Sequence, residues 1–418
     1  MPTAEQAREG ATTPTPRPDE YATARARRER QLMLLALCFT TFLVTGNGVA
    51  VSPFLLDMAR DLRTDLAAVA NLVALSSITW GTASLFAGAA SDRVGRKPLL
   101  LGGLLVMILS PLGVAFAGSY GWVAAWRMIG GVGGGAFMGT VFATVADRFP
   151  PRERGRSLGW LTAGQSLSLV IGVPIITTLG GAFGWRGAFK GYGIAMIVAA
   201  VAVMLAVPAG RGERATAPVP FREVARLLDP RTIALLLAGV TERVCYASVS
   251  VFIPTYLVQT YGVSLSTLAL GLAVVASGNL FGTMIGGRLS DRFTARMLLA
   301  ASSLSTTGLL ALPVLRWHPG LAVSIGLGFV YTLVNSFGRP VLLTALSEVS
   351  GEARGAVMGL NITGSSFGWL AATTIGGPLI LAVGFGGLGV FTATIGLAGA
   401  ALAAGSWLTT RYDRPLPA

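Results

Sequence analysis

The chain has 418 residues, of which 53% are hydrophobic and only 12% are charged, and its mean hydropathy is +0.66. A soluble protein carries about twice that charged fraction, so the composition argues against a soluble enzyme and indicates a membrane protein. The net charge of +13 does not predict nucleic-acid binding, because the basic residues lie in loops between apolar runs. Cys38, Cys245 and the single histidine, His318, give no disulfide framework and no metal site, and we expect no cofactor.

Twelve apolar runs follow one another along the chain, and each is long enough to cross a bilayer, which takes about 20 residues. They predict an all-α polytopic membrane protein with twelve transmembrane helices in two pseudo-symmetric six-helix bundles. The runs are 32–56, 67–90, 98–118, 121–146, 156–183, 186–207, 231–260, 266–289, 297–315, 320–346, 355–383 and 386–410.

The polar segments divide the chain into five parts. Residues 1–30 are rich in Pro, Thr and Arg and are expected to form a disordered tail. Two six-helix bundles, 31–207 and 231–410, are joined by the only long internal polar segment, 208–230, and residues 411–418 form a short tail.

The distribution of basic residues predicts the orientation of the chain. With the N-terminus inside, 24 of the 32 Lys and Arg residues fall in cytoplasmic segments and 5 in outer loops. Cytoplasmic loops of membrane proteins carry the excess of Lys and Arg. We therefore expect a multi-pass protein of a bacterial-type cytoplasmic membrane with both termini in the cytoplasm.

A short cationic turn between the second and third runs has a weaker copy about 200 residues later, between the eighth and ninth runs. A second pair of matching positions, Arg154-Gly155 and Arg354-Gly355, has an offset of 200 residues, against 199 for Asp92 and Asp291. Two matches at equivalent points of two six-span blocks indicate an internal duplication. The first turn contains Gly88, Asp92, Arg93, Gly95, Arg96 and Lys97, and the copy contains Gly287, Asp291 and Arg292.

These motifs resemble those of the major facilitator superfamily. The stretch 88–97 is similar to that family's Gly-x-x-x-Asp-Arg-x-Gly-Arg-Lys signature, and 127–133 is similar to its Arg-x-x-x-Gly-x-Gly motif on helix 4. The stretch 172–189 is similar to helix 5 of drug:proton antiporters with twelve helices. The resemblance implies two bundles that rock about a central cavity lined by helices 1, 4, 7 and 10.

Four ionisable residues lie well inside the apolar runs. Each costs about 2.5–3.5 kcal/mol at the bilayer centre, so we expect them to face a cavity or one another. They fall on the helices that the resemblance implies as cavity-lining, and their positions are Arg127, Glu242, Arg243 and Arg339.

Glu242 is the only carboxylate predicted near the midplane, about 16 Å into helix 7, and is the candidate proton carrier. The alternative is a structural ion pair; because Arg243 projects about 100° away on the helix, we expect any partner on another helix. For Arg127 the resemblance implies proton coupling or substrate binding. For Arg243 and Arg339 two roles remain open, contact with the substrate and structural pairing. Candidate polar groups of the substrate cavity are Asn47, Gln165, Asn335 and Asn361.

The cationic turn is interpreted as a gate. The resemblance implies that Asp92 faces the N-terminus of helix 11, where a carboxylate is favoured by the helix dipole, and that Arg96 pairs with Asp147. In the second copy Thr294 and Ala295 stand where Gly95 and Arg96 are expected, which predicts a weaker latch. The simpler alternative is that these arginines only set the topology.

The leading functional hypothesis is a secondary active transporter, a proton-coupled exporter of a small organic or amphiphilic compound. An alternative is a proton symporter or an exchanger of organic anions, since three buried arginines face one glutamate. An alternative of another class is a membrane sensor or scaffold that transports nothing. We expect a monomer whose partners are a small-molecule substrate, protons and membrane lipids, with no nucleic acid.

The predicted topology can be tested by cysteine accessibility. Ser119→Cys is expected to react from outside intact cells and Ala215→Cys only after permeabilisation, because residue 119 lies in an outer loop and residue 215 in the cytoplasmic linker. A chain with Cys38 and Cys245 replaced by Ser is the background. Labelling of residue 215 from outside intact cells would overturn the topology.

Overall fold

The computed structural model describes residues 18–208, 229–293, 296–349 and 354–412. Across these residues the chain is helical with short turns and has no β-strand. Ten apolar helical stretches within them are long enough to cross a membrane. Two of the ten, Arg152–Ala206 and Leu360–Ser406, have 55 and 47 residues, roughly 70 Å or more at 1.5 Å per residue. Each is long enough for two crossings, so twelve spans are present, as the sequence predicts.

Both long stretches are broken by a glycine at equivalent positions. Gly184 has φ 67° and ψ 168°, and Gly384 has φ 73° and ψ −176°. These left-handed conformations are open to glycine but disfavoured for residues with a Cβ atom, so the chain turns at these two residues. The two breaks are 200 residues apart, which is the offset of the sequence duplication.

We number the twelve spanning helices in chain order. Between the first two lie a 3₁₀ turn, Ser52–Phe54, and a short helix, Leu55–Asp61. The fifth contains a π-helical turn, Ser168–Gly172. The spans are α1 (Pro18–Val49), α2 (Leu66–Val94), α3 (Arg96–Phe116), α4 (Tyr120–Arg148), α5 (151–183), α6 (185–206), α7 (Pro230–Tyr261), α8 (Leu265–Arg292), α9 (Arg296–Arg316), α10 (Leu321–Val349), α11 (354–383) and α12 (385–412).

Three expected boundaries are wrong. Residues 18–30 are helical and continue into the first span, because Ala, Arg and Glu favour helix and a proline is tolerated at the first helical position. That span ends at Val49 rather than near residue 56, where Pro53 helps to start the 3₁₀ turn. Helix α12 runs to Tyr412. Residues 1–17, most of the linker (209–228) and 413–418 lie outside the described residues.

The two halves repeat the same helix contacts, α2 with α4 and α8 with α10. In the N-terminal half the close approach uses glycines of α4: a Cβ atom at Gly131 or Gly135 would lie 2.3 Å from a backbone oxygen of α2. In the C-terminal half the glycines are on α8 instead, and a Cβ atom at Gly282 would lie 2.1 Å from the Leu333 oxygen. Small residues allow such close packing between helices in lipid.

The molecule has two ends, which we call the basic face and the opposite face. The basic face carries the turns at 95, 149–150 and 293–296, and the opposite face carries those at 62–65, 117–119, 184, 262–264, 317–320 and 384.

Toward the opposite face the two halves share one hydrophobic core, in which Phe54 of the first half joins Phe252 and Tyr256 of the second. Toward the basic face the C-terminal half has a separate core around Leu235 and Leu342. The main contacts between the halves are those of α2 with α11, of α5 with α8, and of the 3₁₀ turn Ser52–Phe54 with α7. The halves are therefore packed together at the opposite face, and their cores separate toward the basic face.

A disulfide can test this closure of the opposite face. A Cβ atom at Gly377 on α11 would lie 2.9 Å from the Cβ atom of Ala67 on α2, which is shorter than the usual Cβ–Cβ separation of about 3.5–4.5 Å in a disulfide, so a small outward shift of one helix brings the two thiols into bridging range. Ala67→Cys combined with Gly377→Cys is expected to cross-link under mild oxidation. After cleavage at a protease site placed in 209–228, the halves should stay joined until reduction. Each single variant is the control, and separation of the oxidised double variant into two fragments would contradict the packing.

Candidate functional site

Arg127 lies in the N-terminal half and binds the end of a neighbouring helix. It is 2% exposed, and its two terminal nitrogens donate to the backbone oxygens of Asn47 at 2.8 Å and Gly48 at 2.9 Å. These carbonyls belong to the last turn of α1, where helix carbonyls lack intrahelical partners and a cation is favoured. Arg127 thus caps α1 from α4, and it makes no ion pair within the described ranges.

The surroundings of Arg127 include two further polar groups. Tyr192 on α6 donates to the Leu43 oxygen of α1 at 2.7 Å. The side chain of Asn47 is 3% exposed, its nitrogen points at the Met107 sulfur at 4.0 Å, and its oxygen Oδ1 has no partner. The end of α1 is therefore held by side chains of α4 and α6. The Asn47 Oδ1 and the Arg127 Nε are buried without a hydrogen-bond partner.

Glu242 and Arg243 form a buried ion pair with each other on α7. The Arg243 Nε donates to the Glu242 Oε2 at 2.5 Å, and its terminal nitrogen contacts Oε1, so the pair is bidentate. The two residues are 2% and 4% exposed. The expectation of a partner on another helix is wrong, because the long Arg243 side chain folds back across the 100° between neighbouring residues.

Two neighbouring helices hold this pair in place. Asn335 on α10 donates to the Glu242 backbone oxygen at 3.4 Å, and Tyr331 donates to the Cys245 oxygen at 2.7 Å. The Arg243 guanidinium lies 4.8 Å from the centre of the Tyr246 ring, and that ring packs edge-on against Trp369 of α11 at 5.9 Å. The pair is thus in contact with both α10 and α11.

Sequence reasoning missed Tyr246 and Trp369. Tyr246 is four residues after Glu242 and so lies on the same helix face, a spacing that could have identified it.

Arg339 differs from the other intramembrane arginines in being exposed. Its electrostatic neighbours are Arg243, which is a like charge, Glu242 and Tyr246. It makes no ion pair or hydrogen bond with any residue that the structure describes. The structure therefore brings Glu242, Arg243, Asn335 and Arg339 together on α7 and α10 and leaves Arg127 in the other half.

The two remaining predicted polar residues, Asn361 and Gln165, make few polar contacts. Asn361 on α11 is half-buried, and its Oδ1 lies beside Gly239 of α7, where a Cβ atom would come within 3.0 Å of it. Gln165 on α5 is half-buried and has no hydrogen bond among the described residues. Its neighbour Gly164 packs on the Cys38 carbonyl of α1.

A cavity of about 50 Å³ lies between the two halves, on the side of the Tyr246–Trp369 pair that faces the opposite end. It holds water-sized molecules, whereas sites for drug-sized ligands have volumes of roughly 300–1,000 Å³. A second cavity, of about 250 Å³, lies at the opposite face between residues 53–60 and 255–265. Both are smaller than a site for a drug-sized ligand, so such a ligand needs the halves to move or the space toward the basic face. The lining of the first cavity is mostly apolar: Val49, Ser52, Leu169, Val173, Tyr246, Ser250, Ile253, Pro254, Leu272, Val275, Ala276, Thr332 and Trp369.

The cationic turn at the basic face is organised around Arg96. This side chain is 7% exposed, pairs with Asp92 at 2.7 Å and with Asp147 on α4 at 2.9 Å, and also contacts the Ser91 hydroxyl. The expected Arg96–Asp147 pair is present. Gly95 has φ 105°, which favours glycine at the turn.

The other residues of the turn have smaller roles. Lys97 donates to the Met204 oxygen at 2.7 Å near the end of α6, where a cation complements the helix dipole. Arg93 is exposed and Gly88 half-buried. Every described contact of the turn stays within the N-terminal half; residues 350–353, before α11, lie outside the described residues.

In the second copy of the turn, the described contact is made by Arg296. Arg296 donates from Nε to the Ser290 oxygen at 2.7 Å and so takes the place that Arg96 has beside Ser91. The weaker latch expected from Thr294 and Ala295 stays a prediction. Arg292 is exposed. Thr294, Ala295 and the side chain of Asp291 lie outside the described residues.

The sequence matches the family model of the Major Facilitator Superfamily over residues 37–370 and 235–417. It is 28% identical to a chloramphenicol resistance protein of Streptomyces lividans, over 77% of this chain and 83% of the relative. It is 26% identical to the uncharacterized MFS-type transporter YwfA of Bacillus subtilis (strain 168), over 88% and 90%. It is 25% identical to multidrug resistance protein 1 of the same organism, over 83% and 88%.

Solved structures show the same fold. A bacterial homolog of the human lysosomal transporter Spinster, inward-facing and occupied, has a TM-score of 0.76 at 18% identity, over 93% of this chain and 99% of that one. A D-xylose-proton symporter has a TM-score of 0.72 at 17% identity, over 90% and 97%. The chain belongs to the Major Facilitator Superfamily and is a multi-pass membrane transporter with the twelve-helix fold of that family.

Proposed function

We propose that this transporter exports small organic or amphiphilic compounds in exchange for protons, by alternating access of a central site to the two faces. The observation that carries the proposal is the Glu242–Arg243 pair. Glu242 is the only mid-span carboxylate in the described part of the chain, and Tyr246, one turn later on the same helix face, lines the cavity between the halves. An intramembrane ionisable group of this kind is a functional candidate by default.

A proton on Glu242 changes the balance of forces around α7. Protonation removes the negative charge that Arg243 binds through two hydrogen bonds, and it leaves a buried cation without its partner. Breaking a buried pair in this way is costly, about 3–5 kcal/mol. Because Asn335 and Tyr246 connect the pair to α10 and α11, proton uptake favours a different arrangement of these helices. A ligand or proton that stabilises one arrangement shifts the population toward it.

The direction of transport is proposed from the relatives and from the charges. Two relatives bear the names of chloramphenicol and multidrug resistance, which favours export. The basic face is assigned to the cytoplasm because cytoplasmic loops carry the excess of Lys and Arg. On this assignment the described state opens toward the cytoplasm. We propose that the protein works as a monomer in the cytoplasmic membrane.

The Arg96 cluster is proposed to set the balance between the two states. Arg96, Asp92 and Asp147 join the start of α3 to the inner ends of α2 and α4. They keep the basic end of the N-terminal half rigid, so that it can meet the C-terminal half as one unit. Asp291 and Arg292 belong to the equivalent turn of the second half.

Proton exchange is tested with the purified protein in liposomes. Chloramphenicol is the first compound to test, followed by a panel of amphiphilic compounds. An outward-directed substrate movement accompanied by inward proton movement supports the proposal. Proton movement in the same direction as the substrate, or none, contradicts it.

Glu242→Gln is expected to abolish gradient-driven export while substrate binding persists and loses its pH dependence. Glutamine keeps the size and an acceptor for Arg243, but it cannot titrate. Transport is measured in liposomes and binding in detergent, with Gln165→Glu as a comparison that adds a carboxylate elsewhere.

A thermal-unfolding measurement on the Glu242→Gln variant separates the carrier role from a structural one. A normal unfolding temperature with lost coupling supports the carrier role. Strong destabilisation, or full proton-driven transport, indicates a structural pair instead.

Arg96→Ala is expected to slow transport several-fold while the substrate affinity changes by no more than a few-fold. The variant leaves Asp92 and Asp147 without their shared cation, which shifts the balance of states but does not touch the central site. Arg156→Ala, an exposed arginine on the same face, is the matched control and should transport normally. Loss of substrate binding by Arg96→Ala would show that the cluster is not a gate.

A further inference from the structure

We propose that Arg339 is the anchor of a subsite for a negatively charged group, and that the substrates include organic anions with an apolar or aromatic body, such as aryl carboxylates. The inference rests on the proposed function in taking the space between the halves as the substrate site. It goes further in naming the charge of the ligand and the residue that binds it.

The first argument is that Arg339 has a charge with no partner. The side chain is exposed, and no described residue forms an ion pair or hydrogen bond with it. Arg339 lies ten residues before Val349, about 15 Å along the helix from the basic end of α10. Arginines that only set topology lie in the loops or near the ends of spans, whereas intramembrane charges mark substrate pathways.

The second argument is that the local charges do not balance. Glu242 binds Arg243 through both carboxylate oxygens, so it is already engaged by another cation. The charged groups near Arg339 are Arg243, a like charge, and Glu242. Glu242 neutralises Arg243 and does not pair with Arg339, so among the described residues one positive charge is left for a ligand. A planar guanidinium binds a carboxylate through two parallel hydrogen bonds.

The third argument concerns the groups beside Arg339. Asn335 lies one helical turn earlier on the same face of α10, and its Oδ1 is buried without a partner. Tyr246, within electrostatic range of Arg339, packs on Trp369, and both rings line the apolar cavity between the halves. A cation beside an aromatic wall fits a ligand that is charged at one end and apolar at the other.

The test compares three probes that share a shape and differ in charge. They are 2-naphthylacetate, the neutral 2-naphthylacetamide and the cationic 2-(2-naphthyl)ethylammonium. Binding to the purified full-length protein in detergent is measured from the ligand-dependent rise of the unfolding temperature. We expect the anion to bind at least tenfold more tightly than the amide, and the ammonium probe to bind most weakly.

Variants then assign the preference to one side chain. Arg339→Gln is expected to weaken binding of the anion at least tenfold and to leave the amide unchanged, while Arg339→Lys restores the anion to within a few-fold. Arg316→Gln, at an exposed arginine on the opposite face, controls for the loss of one positive charge. A shared loss of anion and amide binding in Arg339→Gln would overturn the subsite, as would a wild-type protein that fails to prefer the anion.

Failure of the subsite can be told apart from failure of the exporter proposal. Binding in detergent involves no gradient, whereas proton exchange is measured in liposomes. Export of neutral compounds against protons, with no anion preference in detergent, contradicts the subsite alone. An anion preference that depends on Arg339, with no proton movement in liposomes, supports the subsite and contradicts only the proposed coupling.

Discussion

The ion pair between Glu242 and Arg243 is the interaction on which the interior of the C-terminal half depends. Lipid offers no water to an unpaired charge, so a helix that carries both residues crosses the membrane only with the charges paired or hydrated. The bidentate contact keeps the pair compact. Hydrogen bonds from Asn335 and Tyr331 then hold α7 to α10, and the pair contacts the aromatic residues that line the cavity.

The duplicated halves use their buried charge differently. In the N-terminal half Arg127 donates hydrogen bonds to two carbonyls at the end of α1, and so positions the turn that starts at Ser52. In the C-terminal half, α7 and α10 carry a carboxylate and two arginines, and one of these arginines has no partner among the described residues. The two halves pack the same pairs of helices. The glycines that allow the close approach lie on α4 in the first half, whereas in the second half they lie on α8, the equivalent of α2. The shared architecture therefore fixes the helices, while the chemistry is concentrated on α7 and α10.

The fold could be predicted from the sequence because hydropathy, charge bias and repeat offset all depend on local composition. The breaks at Gly184 and Gly384 appear in the sequence only as glycines between apolar runs, yet the prediction placed the spans correctly around them. The functional site was harder to predict than the fold. Arg127 was assigned to coupling by resemblance, but its partners are backbone oxygens, which no side-chain pattern reveals. The Glu242–Arg243 contact depends on the rotamer of a long side chain, and the exposure of Arg339 depends on how the two halves sit.

The two ends of the molecule are built from different interactions, and this difference bears on how the halves can rock. At the opposite face they meet through small residues and a common apolar core, as at Ala67 and Gly377. Apolar packing is non-directional, so such a surface can separate and close again without a specific partner. At the basic face the described contacts of Arg96 and Lys97 lie within one half. They make that half rigid. A rocking mechanism requires two rigid halves and an interface between them that can open and close. Movement about α2–α11 and α5–α8 would then be transmitted to the central site chiefly through α7, because α7 carries the ion pair and also joins the shared core at Phe252.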